Sequence, residues 1–206
     1  MRPTQTPAGQ VPICQHSGAR GLCGQELDAE AHHASTCPTG GLVIQRHDRL
    51  ARWLFRWLSQ GRTSGTPRLE QVLPSERGRL DIVFEDEGLQ YWCDVAVTSA
   101  VSSCPRTLQA RSETDGAAAR AEEAVKRHRY RAKAVPIVVE ADGRPGSSCL
   151  SFVRQFAGMC GESSSSCPAR AWRCFSSMLQ SGNAEIEIAA WGRNAVLNNL
   201  VRYHVP

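Results

Sequence analysis

The stretch that most restricts how this chain can fold is GRLDIVFEDEGLQYWCDVAV, Gly78 to Val97, which sets two aspartates, Asp81 and Asp94, inside apolar runs of strand character. The runs meet at Glu87-Gly88, and a glycine there supplies the positive φ that a tight hairpin turn needs. With the turn so placed, Asp86 faces Leu89 and Asp81 faces Asp94. Directly opposed residues on one face of an antiparallel pair have Cβ atoms about 4.5–5.5 Å apart, so two like charges repel. The pair becomes tolerable if one carboxyl stays protonated, if an arginine neutralises it, or if a divalent cation sits between the oxygens. A register shifted by one residue would place the two aspartates on opposite faces instead.

Residues outside the hairpin bear on that choice. Downstream, Lys126 and Tyr130 stand four apart on one face of a helix expected over about Thr114 to Ala134, whose inner face would carry Ala117, Ala121, Ala124 and His128. Only Lys126 and Lys133 are lysines among the 24 basic residues, so a lysine at this point suggests a need for a compact ammonium. Upstream, Glu70 follows the breaker GRTSGTP and is read as a third acid, on a helix that precedes the hairpin. Three carboxylates and a lysine suit metal-dependent phosphodiester hydrolysis: hard oxygens hold Mg²⁺, and the lysine stabilises charge on the nucleophile or phosphorane.

The formal charge is +4, and Arg120 to Lys133 alone carries six basic residues against two acidic ones. Arg127, Arg129, Arg131 and Lys133 are therefore expected to meet a nucleic-acid backbone, as are Arg46 and Arg49 of an earlier basic helix. The competing reading of such runs is a solvated helix surface.

The motifs RLD at Arg79–Asp81, DVAV at Asp94–Val97 after a gap of twelve residues, and KRHRY at Lys126–Tyr130 resemble the restriction-like endonuclease domain of site-specific non-LTR retrotransposons. That domain belongs to the PD-(D/E)XK nuclease superfamily. In that branch the lysine sits on the helix after the second strand, which accounts for Ala96 where the superfamily's name has lysine; Leu80 replaces its proline. CGQELDAEAHHASTCPTGG and RHD look like the segment that precedes the nuclease core in these elements. The resemblance implies that Asp81 and Asp94 bind Mg²⁺ with Glu70 as the acidic partner, that Lys126 is the catalytic lysine, and that Tyr130 is its accessory. It further implies DNA as substrate, nicked to expose a 3′ hydroxyl, with the element's reverse transcriptase or RNA as partners.

Cys14, Cys23, His33 and Cys37 offer three sulfurs and a nitrogen, a set that suits tetrahedral structural zinc. Eight residues separate Cys14 from Cys23, more than a usual zinc pair, so an ordered loop would have to close that half; His16 and His32 are alternative ligands. The segment Cys14–Gly41 lacks the apolar residues to fold by burial alone, which favours a metal; the competing reading is a partly disordered arm.

Nine cysteines without an evenly spaced framework or a secretory signal point to a reducing compartment, nucleus or cytoplasm, and no run of eighteen apolar residues suggests a membrane span. The organisation expected is a disordered stretch over 1–13, a zinc-binding segment over 14–41, a nuclease core over 42–160 and a helical extension over 161–206. The core begins with an amphipathic helix over Leu42–Gln60, with His47 at its edge, and ends with a strand over AVPIVVE and a helix over Cys149–Gly158. The extension carries two further helices, Ala169–Leu179 and Ile186–Leu200. The fold class is α/β, a restriction-endonuclease-like core of a short mixed sheet flanked by helices. A non-catalytic nucleic-acid-binding relic of such an element is the alternative function.

Overall fold

A computed structural model describes residues 11–28, 32–61, 63–73, 78–102, 104–130, 134–157 and 167–191. The hairpin organises it. Strands β4 (Gly78–Asp86) and β5 (Leu89–Thr98) pair antiparallel from Asp86↔Leu89 to Ile82↔Cys93, the register expected from the turn. Glu87 and Gly88 both have positive φ, 48° and 75°, which is the backbone of the two-residue turn that matches strand twist.

A strand not anticipated from the sequence, β3 (Arg68–Leu73), pairs with the outer side of β4, and β6 (Ala134–Glu140) pairs parallel to β5, giving a mixed sheet of order β3-β4-β5-β6. A parallel neighbour requires a long crossover, and helices α3 (Pro105–Glu113) and α4 (Ala117–Arg129) provide it. Helix α3 occupies the stretch around Pro105 that was expected to be a loop, while the helix expected over about Thr114 to Ala134 is α4, which starts after Gly116, whose φ is 69°. Its buried side is also different: Ala118, Ala119 and Glu123 face inward, whereas Ala121, Ala124 and His128 are exposed. Pro136 is accommodated because β6 is an edge strand.

Alternate residues divide the sheet into two faces. Ile82, Phe84, Cys93, Val95, Ile137 and Val139 form the main core with α2 (Leu42–Gln60), α5 (Ser147–Ala157) and α6 (Cys167–Trp191). Leu50, Leu54 and Leu58 recur at helical spacing along α2 and are buried, as the amphipathic pattern requires. Phe84 is the hub, with ring centroids 5.0 Å from Tyr91, 5.2 Å from Phe156 and 6.1 Å from Phe152. On the other face Tyr130, at the end of α4, packs with Leu80, Val83, Ala134 and Trp92.

Two buried glutamates hold helices to this frame. The Ala119 N–H at the start of α4 donates to Glu140 at 3.0 Å, and the Ser148 N–H at the start of α5 donates to Glu123 at 2.8 Å. A carboxylate at a helix N-terminus satisfies an orphan donor and meets the positive end of the dipole. Helix α6 is continuous from Cys167 to Trp191, where the sequence had suggested two helices. None of the described helices is long and apolar enough to cross a membrane.

The Cys/His segment contains a short hairpin, β1 (Ser17–Gly18) with β2 (Gly21–Leu22), and one helical turn and a half, α1 (His32–Thr36). It is stitched to α6 by Gln15 N–H to Ala190 O at 2.8 Å. Of the stretch expected to be disordered, residues 1–10 lie outside the described part, and Ile13 forms a bridge with Glu26.

Removal of the hub ring tests this packing. Phe84→Ala is expected to lower unfolding stability by about 3–5 kcal/mol, measured by urea denaturation.

Candidate active site and metal centre

The rungs between β4 and β5 end at Ile82↔Cys93, one position before the two aspartates. Asp81 and Asp94 lie there almost wholly buried, 9% and 5% exposed. Beyond the last rung, the Val95 N–H donates to Asp81 Oδ2 at 2.7 Å, so a side chain takes the place of a backbone acceptor.

Each acid receives a basic residue from a different face of the sheet. Lys126 of α4 brings Nζ to 3.0 Å from Asp94 Oδ2 and 3.9 Å from Glu122. Its side chain is only 14% exposed. From α2, His47 places Nε2 3.3 Å from Asp81 Oδ2 and 3.2 Å from Val95 O. A carbonyl only accepts, so Nε2 carries the proton and donates to both. The other ring nitrogen lies 3.2 Å from Asp48 Oδ1.

The protonation equilibria follow from these contacts. The hydrogen bond to Asp81 lifts His47 to about 9 against the opposing effect of burial. Burial alone would raise Asp81, yet His47 and the Val95 N–H hold it below the usual carboxylate range. Burial pushes Asp94 up; Lys126 opposes this and Asp81 adds to it. The two acids therefore shift in opposite directions, Asp81 towards its ionised form and Asp94 towards its protonated one. Asp94 Oδ2 is a fully buried oxygen with no directed hydrogen bond, despite the nearby ammonium.

Tyr130 is 1% exposed and donates from its hydroxyl to Arg79 O at 3.2 Å, fastening α4 to β4 beside the pair. Burial and the nearby Asp94 raise its phenol. The structure thus brings together Asp81, Asp94, Lys126 and Tyr130, and adds His47.

Glu70 does not join them. It stands on strand β3, not on a helix, at the position between the rungs Leu69↔Ile82 and Gln71↔Leu80. Its φ is 53°, and its carboxylate is 59% exposed and 3.4 Å from Arg79 Nη1. The positive φ turns the side chain away from the regular strand direction, and an exposed ion pair holds it there.

The expected basic contacts divide. Arg129 is exposed; Arg127 is half exposed and bonded to Glu123 at 3.3 Å and to Ser148. Arg131 and Lys133 lie outside the described residues. Arg46 is not on a nucleic-acid face: it is 4% exposed and donates to Asn183 of α6 at 2.6 Å. Arg49 pairs with Glu185 of α6 at 2.8 Å. Both arginines clamp α2 to α6. A cavity of about 360 Å³, whose lining includes neither aspartate, is bordered by Arg127, Ser148, Val135 and Gln155. Its charged lining side chain, Arg127, is paired with Glu123.

At the other end of α6, the ligand atoms of Cys14, Cys23, His33 and Cys37 all lie within 4.8 Å of one another. Cys14 and Cys37 are 3.8 Å apart at sulfur, and Cys23 Sγ is 3.3 Å from His33 Nε2. With metal–sulfur bonds of about 2.3 Å and metal–nitrogen bonds of about 2.0–2.1 Å, tetrahedral ligands sit roughly 3.5–3.8 Å apart. The cluster can bind a metal and is compatible with structural zinc. The β1–β2 hairpin closes the long gap between Cys14 and Cys23, with Cys23 N–H donating to His16 O at 2.8 Å. Asp28 accepts the His32 and His33 N–H groups at 2.7 Å each, fixing the turn that presents His33. His16 donates from Nε2 to Ile186 O at 2.9 Å while Nδ1 lies 3.1 Å from Cys14 Sγ.

Comparison with models of known protein families gives no match, and comparison with curated proteins gives none either.

One equivalent of Co²⁺ added to the reduced protein is expected to produce the visible absorption of a tetrahedral thiolate site. Cys37→Ser should weaken binding at least tenfold in the same titration, and Asp28→Ala, which frees the His33 turn, should weaken it less.

Proposed function

We propose that the chain is a metal-dependent DNA endonuclease with a restriction-endonuclease-like core, related to the nuclease domain of site-specific non-LTR retrotransposons. The observation that carries the reading is the convergence of Lys126 from α4 on a buried pair of aspartates where β4 and β5 separate. The order of helix, three antiparallel strands, two helices and parallel strand supports it, as does the resemblance of RLD, DVAV and KRHRY to that domain.

The residues present fit a divalent cation. Hard carboxylate oxygens suit Mg²⁺, and Asp94 Oδ2 is a buried acceptor without a directed hydrogen bond. Asp81 and Asp94 would hold the ion, which when bound polarises the phosphate and acidifies a water. Glu70 stays outside this site, its carboxylate engaged by Arg79. A bound cation would favour the doubly ionised pair and so lower Asp94.

Lys126 then supplies a compact positive charge for the developing charge on the attacking oxygen or the phosphorane. Its position is set by Asp94 and by low exposure, which strengthens its field at the reacting phosphate. Tyr130 keeps α4 in place over β4. Arg129, exposed at the end of α4, would follow the phosphate backbone. The Cys/His centre would hold zinc in a structural role, supplying folding energy to a segment with little apolar core.

Supercoiled DNA incubated with the protein and Mg²⁺ is expected to be nicked, and chelation of Mg²⁺ to abolish nicking. Asp94→Asn should remove activity, and Lys126→Ala should lower the rate by about 10²–10³-fold, the range for losing one preorganised electrostatic group. A wild-type chain that retards DNA without nicking it would instead support a binding relic.

A further inference from the structure

We infer that His47 is a positioning residue for Asp81, and this rests on the nuclease reading above. His47 lies on the same stripe of α2 as the buried Leu50 and Leu54, so docking of the helix on the sheet delivers the ring to the point where β4 and β5 separate. There Nε2 donates at 3.3 Å to Asp81 Oδ2 and at 3.2 Å to Val95 O. A nitrogen that donates to a carbonyl has no lone pair to offer a cation, so His47 is not itself a ligand.

Its effect is on the acid. Asp81 Oδ2 takes two donors, His47 and the Val95 N–H at 2.7 Å, so that Oδ1 is the oxygen left for a cation. With one donor removed, the carboxylate is freer to turn about its Cβ–Cγ bond. Groups that orient a metal ligand typically contribute 10–100-fold to metal affinity. Asp48, at 3.2 Å from Nδ1, holds the other side of the ring and is itself paired with Arg52 at 3.6 Å. Lys126 meets Asp94 from the opposite face as a charge contact at 3.0 Å.

A protonated ring beside the pair also repels a cation, an effect opposite in sign to orientation. Two variants separate them: His47→Gln keeps an N–H donor without the charge, and His47→Ala removes both.

The experiment titrates Mn²⁺ into the full chain, with the Cys/His centre already loaded with zinc, and follows free Mn²⁺ by electron paramagnetic resonance. Asp94→Asn identifies the signal that belongs to the acid pair, and circular dichroism checks the fold of each variant. His47→Ala is expected to raise the Mn²⁺ dissociation constant about 10–100-fold, while His47→Gln stays within a few-fold of wild type. The nicking rate of His47→Ala should recover towards the wild-type maximum at high Mg²⁺. If His47→Ala binds Mn²⁺ as tightly as wild type or more tightly, or if His47→Gln is as weak as alanine, the inference is wrong while the nuclease reading stands. A wild-type chain that binds no Mn²⁺ at the pair sinks both.

Discussion

The separation of β4 from β5 after Ile82↔Cys93 is the constraint on which the rest of the fold depends. It replaces backbone rungs with two buried carboxylates, and an uncompensated buried charge costs several kcal/mol. No single layer of the protein compensates both. The Val95 N–H and His47 serve Asp81 from the side of α2, and Lys126 serves Asp94 from the side of α4. Cladding of the sheet on both faces is therefore an electrostatic requirement at this end as well as a means of burying apolar surface.

The other buried carboxylates among the described residues make the contrast clear. Glu123 and Glu140 are each 1% exposed, and each accepts the N–H of a helix start, so their burial is explained by capping. Asp81 accepts the Val95 N–H, but Asp94 has no such backbone partner among the described contacts. Asp94 Oδ2 keeps an acceptor with no directed partner, and the two acids shift in opposite directions because burial raises Asp94 while His47 and the Val95 N–H outweigh burial at Asp81. Perturbation by burial together with a specific charge partner is what the proposed reading of this pair as a chemical site draws on.

How far sequence reasoning reached depended on whether the relevant physics was local. Turn chemistry at Glu87-Gly88 determined the hairpin register, and helical spacing in Leu42–Gln60 determined α2; the four ligands of the Cys/His centre were legible as residue types. What failed was orientation set by distant partners. Arg46 and Arg49 read as surface because Asn183 and Glu185, which they meet, lie on a helix far along the chain. Glu70 read as helical because nothing near it marks an edge strand, and its positive φ arises in the sheet. His47 read as a core-edge residue since its spacing to Leu50 reports only the stripe, not the acid waiting at its end.

Helix α6 relates the two centres. At 25 residues and about 1.5 Å per residue it spans roughly 37 Å. Phe175 and Leu179 sit in the main core, Asn183 and Glu185 hold Arg46 and Arg49 of α2, and Ile186 O and Ala190 O receive His16 and Gln15 of the Cys/His segment. A side chain added at Gly182 would meet Arg46 Cγ at 2.8 Å, so the glycine is what allows the two helices to approach. Arg46 and His47 are neighbours in sequence and, about 100° apart around α2, face different partners: one is gripped by α6, the other reaches Asp81. The clamp that anchors the Cys/His segment's supporting helix thus lies one residue from the ring that orients the acid pair, which makes the seating of α2 common to both centres.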